Sequence, residues 1–298
     1  MLILINIAGF FSNFFKVLNW ELLNNNNNII IPYFISRSIK YISLDFTNYT
    51  DTTIYENSEN IWEKMFYPIR EYNKIDLLDK NNIFTYTYPS NCQHMYPYPL
   101  NNIRNGYIFC EYAIYNHPLL PQIRQLYHEC YNKFKWTPYL KNHIENNIKL
   151  IPNPKKTVAV FLRCTVHYSG IKEYLKNTID ELKVIMQNYD KLFLVTMIKE
   201  VVKELTDVFG DKIILLQDKN MVETLNHDWG GVFVDNKYTP LEIDDYEKEC
   251  VQCFTDVYLA STCDYILGGS SNMFLGALII NPTVKFKILD VFNNVNGS

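Results

Sequence analysis

The stretch Asp256–Pro282, DVYLASTCDYILGGSSNMFLGALIINP, decides how this chain is read. It predicts an amphipathic helix, a short apolar strand at Tyr265–Leu267, a turn of Gly268-Gly269-Ser270-Ser271-Asn272, and a second helix over Phe274–Ile280. Glycines let backbone N–H groups approach an anion. Hydroxyls and the N-terminus of the following helix add donors and partial positive charge. Strand, Gly/Ser turn and helix in that order make a cradle for a diphosphate, although an ordinary strand–turn–helix connection carries the same signature. A second segment, ThrValAlaValPheLeuArgCysThr at 157–165, places Arg163 just past the apolar strand Val158–Leu162. A guanidinium there takes a diphosphate bidentately and neutralises charge as a bond to it breaks.

Outward from these motifs, strands and helices alternate. Helices are predicted over Ile171–Gln187, Lys199–Phe209 and Asp244–Ala260, and strands over Leu192–Thr196, Ile213–Leu216 and Val284–Leu289. Such alternation implies a parallel sheet covered on both faces, with ligands beyond the carboxyl ends of its strands. Arg163, Thr196 and the Gly268–Asn272 turn all fall at such ends and would share one cleft. The earlier part opens with a strand at Leu2–Ile7, a turn at Gly9, a helix over Asn13–Leu23 and strands at Ile29–Phe34 and Tyr41–Phe46. From Asn48 to Gln122 the chain is rich in Tyr, Pro and Asn, and loops, short helices and one hydrophobic strand, Tyr107–Phe109, are expected there. A helix over Gln122–Lys135 and a helix or linker over Tyr139–Leu150 lead to Ile151-Pro152-Asn153-Pro154, read as an interdomain crossing. Residues 1–150 and 151–298 are therefore expected to form two domains.

A chain of 298 residues buries one large core or two modest ones. With 48% hydrophobic and 20% charged residues it is globular, not a disordered tail. Its net charge of −4 gives no electrostatic case for nucleic-acid binding. The run Asn24–Asn28 and the abundance of Asn, Ile, Lys and Tyr fit an AT-rich coding bias, so tyrosine and asparagine counts carry no functional weight. No apolar run reaches the roughly 18 residues that would cross a bilayer. The apolar start lacks a basic leader and a small-residue cleavage site, so it reads as a strand and helix, not a signal peptide. Seven scattered cysteines point to free thiols in a reducing, cytoplasmic setting, and Cys250-Val-Gln-Cys253 is a lone pair with no second pair beside it. Neither a DxD motif for a metal nor a GxGxxG fingerprint for a dinucleotide is present.

Together these segments resemble the GDP-fucose-dependent fucosyltransferase superfamily, which includes protein O-fucosyltransferases and the α1,6 and α1,2 enzymes. Gly9-Phe10-Phe11-Ser12-Asn13 resembles the family's N-terminal turn, and Val160-Phe161-Leu162-Arg163 resembles its strand ending in His-x-Arg. Asp256–Ala277 resembles the helix, strand and Gly/Ser turn that close its donor site, and Thr196–Leu216 its intervening strand–helix–strand. The likeness covers most of 151–290 and only the first 25 residues of the N-terminal half.

The resemblance implies an α/β fold of GT-B type, two Rossmann-like domains facing a cleft, with the C-terminal one holding the nucleotide. It implies an inverting, metal-independent glycosyltransferase moving a sugar, fucose foremost, from GDP-fucose to a glycan or protein hydroxyl, with no cofactor. Arg163 would match the arginine on the β-phosphate, and Asn13 an asparagine near the reacting centre. Asp256 would match the carboxylate that accepts guanine's N1–H and N2–H. Gly9, Gly269, Ser270, Ser271 and Asn272 would complete the donor contacts. Phe161 stands where the family has histidine, Cys164 where one branch has a second arginine, and Met197 where an acid often follows the threonine. Loss of the histidine opens two alternatives: a catalytically silent binder of nucleotide sugars or glycans, and a transferase using another NDP-sugar. No residue stands out as a base; Asp51, Glu111 and His117 are equivalent candidates.

Overall fold

The computed structural model describes residues 2–5, 10–23, 30–33, 59–71, 118–162, 171–216, 219, 221, 227–228, 231–234, 237–240, 246–269 and 271–289. Its centre is a five-stranded parallel sheet built from the second half of the chain. The strands are β3 (Thr157–Phe161), β4 (Lys191–Val195), β5 (Ile213–Ile214), β9 (Tyr265–Gly268) and β10 (Lys285–Ile288), in the order β10-β9-β3-β4-β5. The chain runs outward from β3 to β5, then returns to the other side of β3 for β9 and β10. This is the doubly wound order, and it reverses between β3 and β9.

The period of two along each strand sorts the core into two layers. Val158, Val160 and Leu162, with Leu192 and Leu194, face one way and join Leu175 and Leu182 of α5 (Ile171–Ile185) and Val201 and Leu205 of α6 (Lys199–Phe209). Ala159, Phe161, Phe193 and Val195 face the other way, toward α7 (Tyr246–Thr262) and α8 (Asn272–Ile280). All five residues of β3 are buried, as the apolar run Val158–Leu162 predicted.

The first half supplies β1 (Leu2–Ile5) and β2 (Ile30–Tyr33), a parallel pair joined through α1 (Phe10–Leu23). It also supplies the short α2 (Ile61–Met65), α3 (Leu120–Tyr131) and α4 (Pro138–Ile148). Asn60 ties two of these together: its side chain accepts from the Trp62 N–H and donates to the Pro32 carbonyl at 2.8 Å. Three further strands, β6 (His227–Asp228), β7 (Gly231–Val234) and β8 (Lys237–Pro240), form a separate antiparallel ribbon.

Helix α1 is not confined to its own strands. It packs on α3, α7 and α8, so the core of the first half continues into one face of the large sheet. Phe10, Phe11 and Phe14 all meet Phe254 of α7, with the Phe11 and Phe254 rings stacked at 2° and 6.3 Å. Phe11 fits because Gly276 of α8 lies under it; a Cβ on Gly276 would sit 2.4 Å from the ring. From α3, buried Arg124 donates to the carbonyls of Leu278, Asn281 and Val284 at 3.0–3.1 Å and lies over the Phe286 ring. It satisfies acceptors at the C-terminus of α8, where the helix dipole also favours a cation. Burial lowers its guanidinium to about 10.

Most element boundaries read from sequence agree within two or three residues. Strand β5 is two residues long, shorter than the expected Ile213–Leu216. Of residues 139–150, left as helix or linker, 139–148 belong to α4, with Thr137 accepting from the Leu140 N–H at the N-cap. Helix α2 falls where short helices were expected, between Asn48 and Gln122, whereas the ribbon was not anticipated. The expected strands at 41–46 and 107–109 lie outside the described residues.

Replacing Gly276 by valine sets the Phe11 ring against a new side chain in a filled site. Helix propensity favours any residue over glycine by up to about 1 kcal/mol, while overpacking costs about 1–3 kcal/mol. Gly276→Val is therefore expected to lower the denaturant midpoint, and adding Phe11→Leu to recover part of the loss. An unchanged midpoint in the single variant would contradict this packing.

Candidate functional site

The order of the sheet fixes where a site can form. Strands β3 and β9 pair in register, Phe161 opposite Gly268, so residues 162 and 269 leave the sheet side by side at the point where the strand order reverses. Open parallel sheets bind ligands at this point. Gly268 is there for a steric reason: a Cβ would lie 2.8 Å from both the Cβ and the carbonyl oxygen of Phe161. The Phe161 side chain is buried and packs edge-on to Phe274, ring centroids 5.6 Å apart. In the position of the family's histidine, this chain thus places a core residue.

After Gly269 the chain turns into α8. Ser271 is its N-cap, accepting from the Phe274 N–H at 3.1 Å, and Asn272 is its first residue. The helix is apolar on every side and fully buried from Phe274 to Ile280, so its position is set by packing and its open N-terminus is held at the sheet edge. Gly269, Ser271 and Asn272 are thus brought together. Arg163, Gly9 and Ser270 lie outside the described residues. Asn13 lies on α1, one turn on from Phe10, and is buried.

Asp256 is not a solvated helix residue. It lies on the inner side of α7, 1% exposed. Its Oδ2 forms an ion pair with Lys219 Nζ, and its Oδ1 has no hydrogen-bond partner among the described residues. Lys219 also donates to the carbonyl of Thr196, the first residue past β4, at 3.1 Å. The Thr196 hydroxyl accepts from the Ile198 N–H at 3.3 Å. Asp256, Lys219 and Thr196 therefore form one buried polar group beneath the carboxyl end of β4. Burial pushes the Asp256 carboxyl above the usual carboxylate range, with Lys219 acting against it.

Lys219 was not singled out from sequence. It sits in the polar run Gln217-Asp218-Lys219-Asn220, which reads as an ordinary loop, and only the fold of α7 against β4 reveals its partner.

Beside this group, a groove of about 470 Å³ runs between α6 and the segment following β5. Its apolar lining includes Val202, Leu215, Leu216 and Met221, and Lys199, Lys203 and Lys219 edge it. Among the described residues no group of His, Cys, Asp and Glu is arranged to hold a metal ion. Cys250 and Cys253 of α7 are unbridged, as are Cys130 and Cys263. No helix of the described residues is long and apolar enough to cross a membrane.

The Asp256 environment has a pH signature. A carboxyl whose folded-state pKa is raised adds stability that is complete below its unfolded value, about 3.9, and is lost as pH rises through the folded value. The wild type is therefore expected to lose stability relative to Asp256→Asn as pH climbs from 4 toward neutrality. Denaturant midpoints of both proteins across that range test this; parallel curves would mean that Asp256 titrates as an ordinary carboxylate.

No protein-family model matches the chain, and no curated protein matches it. Solved structures do. The α-1,6-fucosyltransferase NodZ co-crystallised with GDP aligns with a TM-score of 0.54 at 11% identity, covering 97% of this chain and 94% of that one. NodZ soaked with GDP-fucose gives 0.52 at 11% identity over 94% and 92%. Selenomethionine NodZ from Bradyrhizobium gives 0.51 at 11% identity over 97% and 94%. The alignments run through nearly the whole of both chains, so this chain has the fold of the NodZ fucosyltransferase.

Proposed function

We propose that the chain is a glycosyltransferase of the GDP-fucose-dependent superfamily, moving a sugar, fucose foremost, from a GDP donor to a hydroxyl of a glycan or protein. The observation that carries this reading is the reversal point of the sheet. The strand leading to Arg163 and the strand leading to the Gly/Ser turn lie next to each other there, in a fold shared with an enzyme crystallised with GDP and GDP-fucose. Residues 151–298 would hold the nucleotide sugar and residues 1–150 would form the acceptor side, as the two lobes of a GT-B arrangement.

In this reading the acceptor oxygen attacks the anomeric carbon from the face opposite the nucleotide, and the bond from that carbon to the β-phosphate oxygen breaks. GDP leaves with the electron pair, and the configuration inverts. Charge develops on the β-phosphate, so fixed donors there lower the barrier. Arg163 would supply a bidentate cation, and the N-terminus of α8 its dipole. Gly9, Gly269, Ser270, Ser271 and Asn272 would complete the phosphate and sugar contacts. Asn13 would approach the reacting centre from α1, and Asp256 would lie at the base end of the nucleotide. With these donors the leaving group needs no metal. The unbridged thiols support a reducing, cytoplasmic setting.

Thermal shift with GDP, UDP, ADP, GDP-fucose and GDP-mannose tests the reading on wild type and Arg163→Ala. A ligand at a hundredfold excess over its Kd stabilises by about 2.7 kcal/mol. GDP compounds are expected to raise the melting temperature of the wild type and to lose most of that effect in the variant. A shift with UDP alone would replace the donor, and no shift with any nucleotide would overturn the function.

A further inference from the structure

The structure assigns base recognition to Lys219: we infer that its ammonium, held in place by Asp256, donates to the O6/N7 edge of a 6-oxopurine lying in the groove beside α6. This rests on the nucleotide-sugar reading above and deepens it, because it changes which residue reads the base and what the site can distinguish.

Three observations carry it. The groove is in the right place. Leu215 and Leu216 follow β5, Thr196 and Lys199 follow β4, and the diphosphate cradle lies at the β3–β9 reversal. Neighbouring strands are about 5 Å apart, so the groove beside β4 and β5 lies about two strand spacings, roughly 10 Å, from the cradle at the β3–β9 reversal, a span that a ribose bridges. The groove also suits a base. Its volume of about 470 Å³ falls within the range of small-molecule pockets, and its apolar lining can take a flat ring.

The third observation concerns access. Lys219 lines the groove and Asp256 does not. Lys219 has the groove on one side and the buried carboxylate on the other, with its side chain 10% exposed. An ammonium has three donors. Among the described residues, Asp256 Oδ2 and the Thr196 carbonyl take two, which leaves one for a ligand. Asp256 is buried and does not line the groove, so its carboxylate is not presented to guanine's N1–H and N2–H. Lysine instead matches guanine's O6 and N7, which are both acceptors.

Hypoxanthine has the same O6 and N7 and lacks only the N2 amino group. Adenine puts an N6 donor where O6 would be, facing the ammonium. The two ways of reading the base therefore separate cleanly. If Lys219 is the reader, IDP binds like GDP and ADP binds poorly. If Asp256 accepts the N1–H and N2–H pair directly, GDP is strongly preferred over IDP.

The experiment is direct titration of GDP, IDP and ADP, followed by calorimetry, against wild type, Lys219→Arg and Lys219→Met. In the wild type GDP and IDP are expected within about threefold of each other and ADP at least about tenfold weaker, the scale of one charge-assisted hydrogen bond. Lys219→Arg keeps a donor and is expected to keep the preference for IDP over ADP; Lys219→Met is expected to abolish it. A GDP preference over IDP of about tenfold or more in the wild type overturns the inference without any variant. So does an unchanged IDP-to-ADP ratio in a folded Lys219→Met. GDP binding with that result leaves the nucleotide-sugar reading standing, whereas failure of all three nucleotides to bind wild type overturns both.

Discussion

The missing side chain at Gly268 is the constraint on which the site depends. Parallel strands hold their backbones about 5 Å apart, and at this position the neighbouring strand presents both the Cβ and the carbonyl of Phe161. Any larger residue would push the end of β9 away from β3. The turn after β9 and the loop after β3 would then leave the sheet at different heights, and the two motifs would no longer face a common space. Because Gly268 permits the approach, Phe161 can turn its ring toward Phe274 and fix the first turn of α8 as well. One absent methyl group thereby sets both the strand pairing and the direction of the helix that follows.

The two layers over the sheet are not equivalent. The face toward α5 and α6 is a mainly aliphatic core drawn from 158–205 and Leu267 of β9. The face toward α7 and α8 is shared with the first half of the chain, and its packing is aromatic: Phe10, Phe11, Phe14, Trp62, Phe66, Phe134 and Phe254 form a connected set of tilted and edge-on rings. Such ring pairs are directional as well as apolar, so they fix the orientation of α1 and do more than bury it. Asp256, the partner of Lys219, lies on the inner side of α7, the same helix that carries Phe254, so packing on one side of this helix positions polar chemistry on another.

Much of the second half was legible because its strands are continuous apolar runs and its helices have clear periodicity. Val158–Leu162 reads as a buried strand since every residue in it is buried, and Lys199–Phe209 matches the observed helix at both ends. Ser271 was legible as part of a turn but not as a helix cap, since the expected helix began two residues after the observed one. Helix α2 was expected only as one of the short helices of 48–122, without bounds, because five residues are too few for periodicity to show. The ribbon of β6 to β8 escaped notice because its strands are two to four residues long. The pairing of Lys219 with Asp256 is a tertiary fact: 37 positions separate them, and neither residue type is unusual in its local setting. The identity of Arg163 as a candidate rests on sequence alone, since only the strand before it is described.

Arg124 bears on how the molecule is assembled. It comes from α3, in the first half of the chain, and its hydrogen bonds close the end of α8 and reach the segment leading into β10. The covalent crossing near Ile151 is therefore not a seam along which the protein comes apart. A fragment starting there would keep all five parallel strands yet lose the guanidinium that satisfies three of its carbonyls and the phenylalanines that cover Phe254. Synthesis would have to pass Val284 before Arg124, made long before, could find all three acceptors it serves, so maturation of the first half would wait for nearly all of the second.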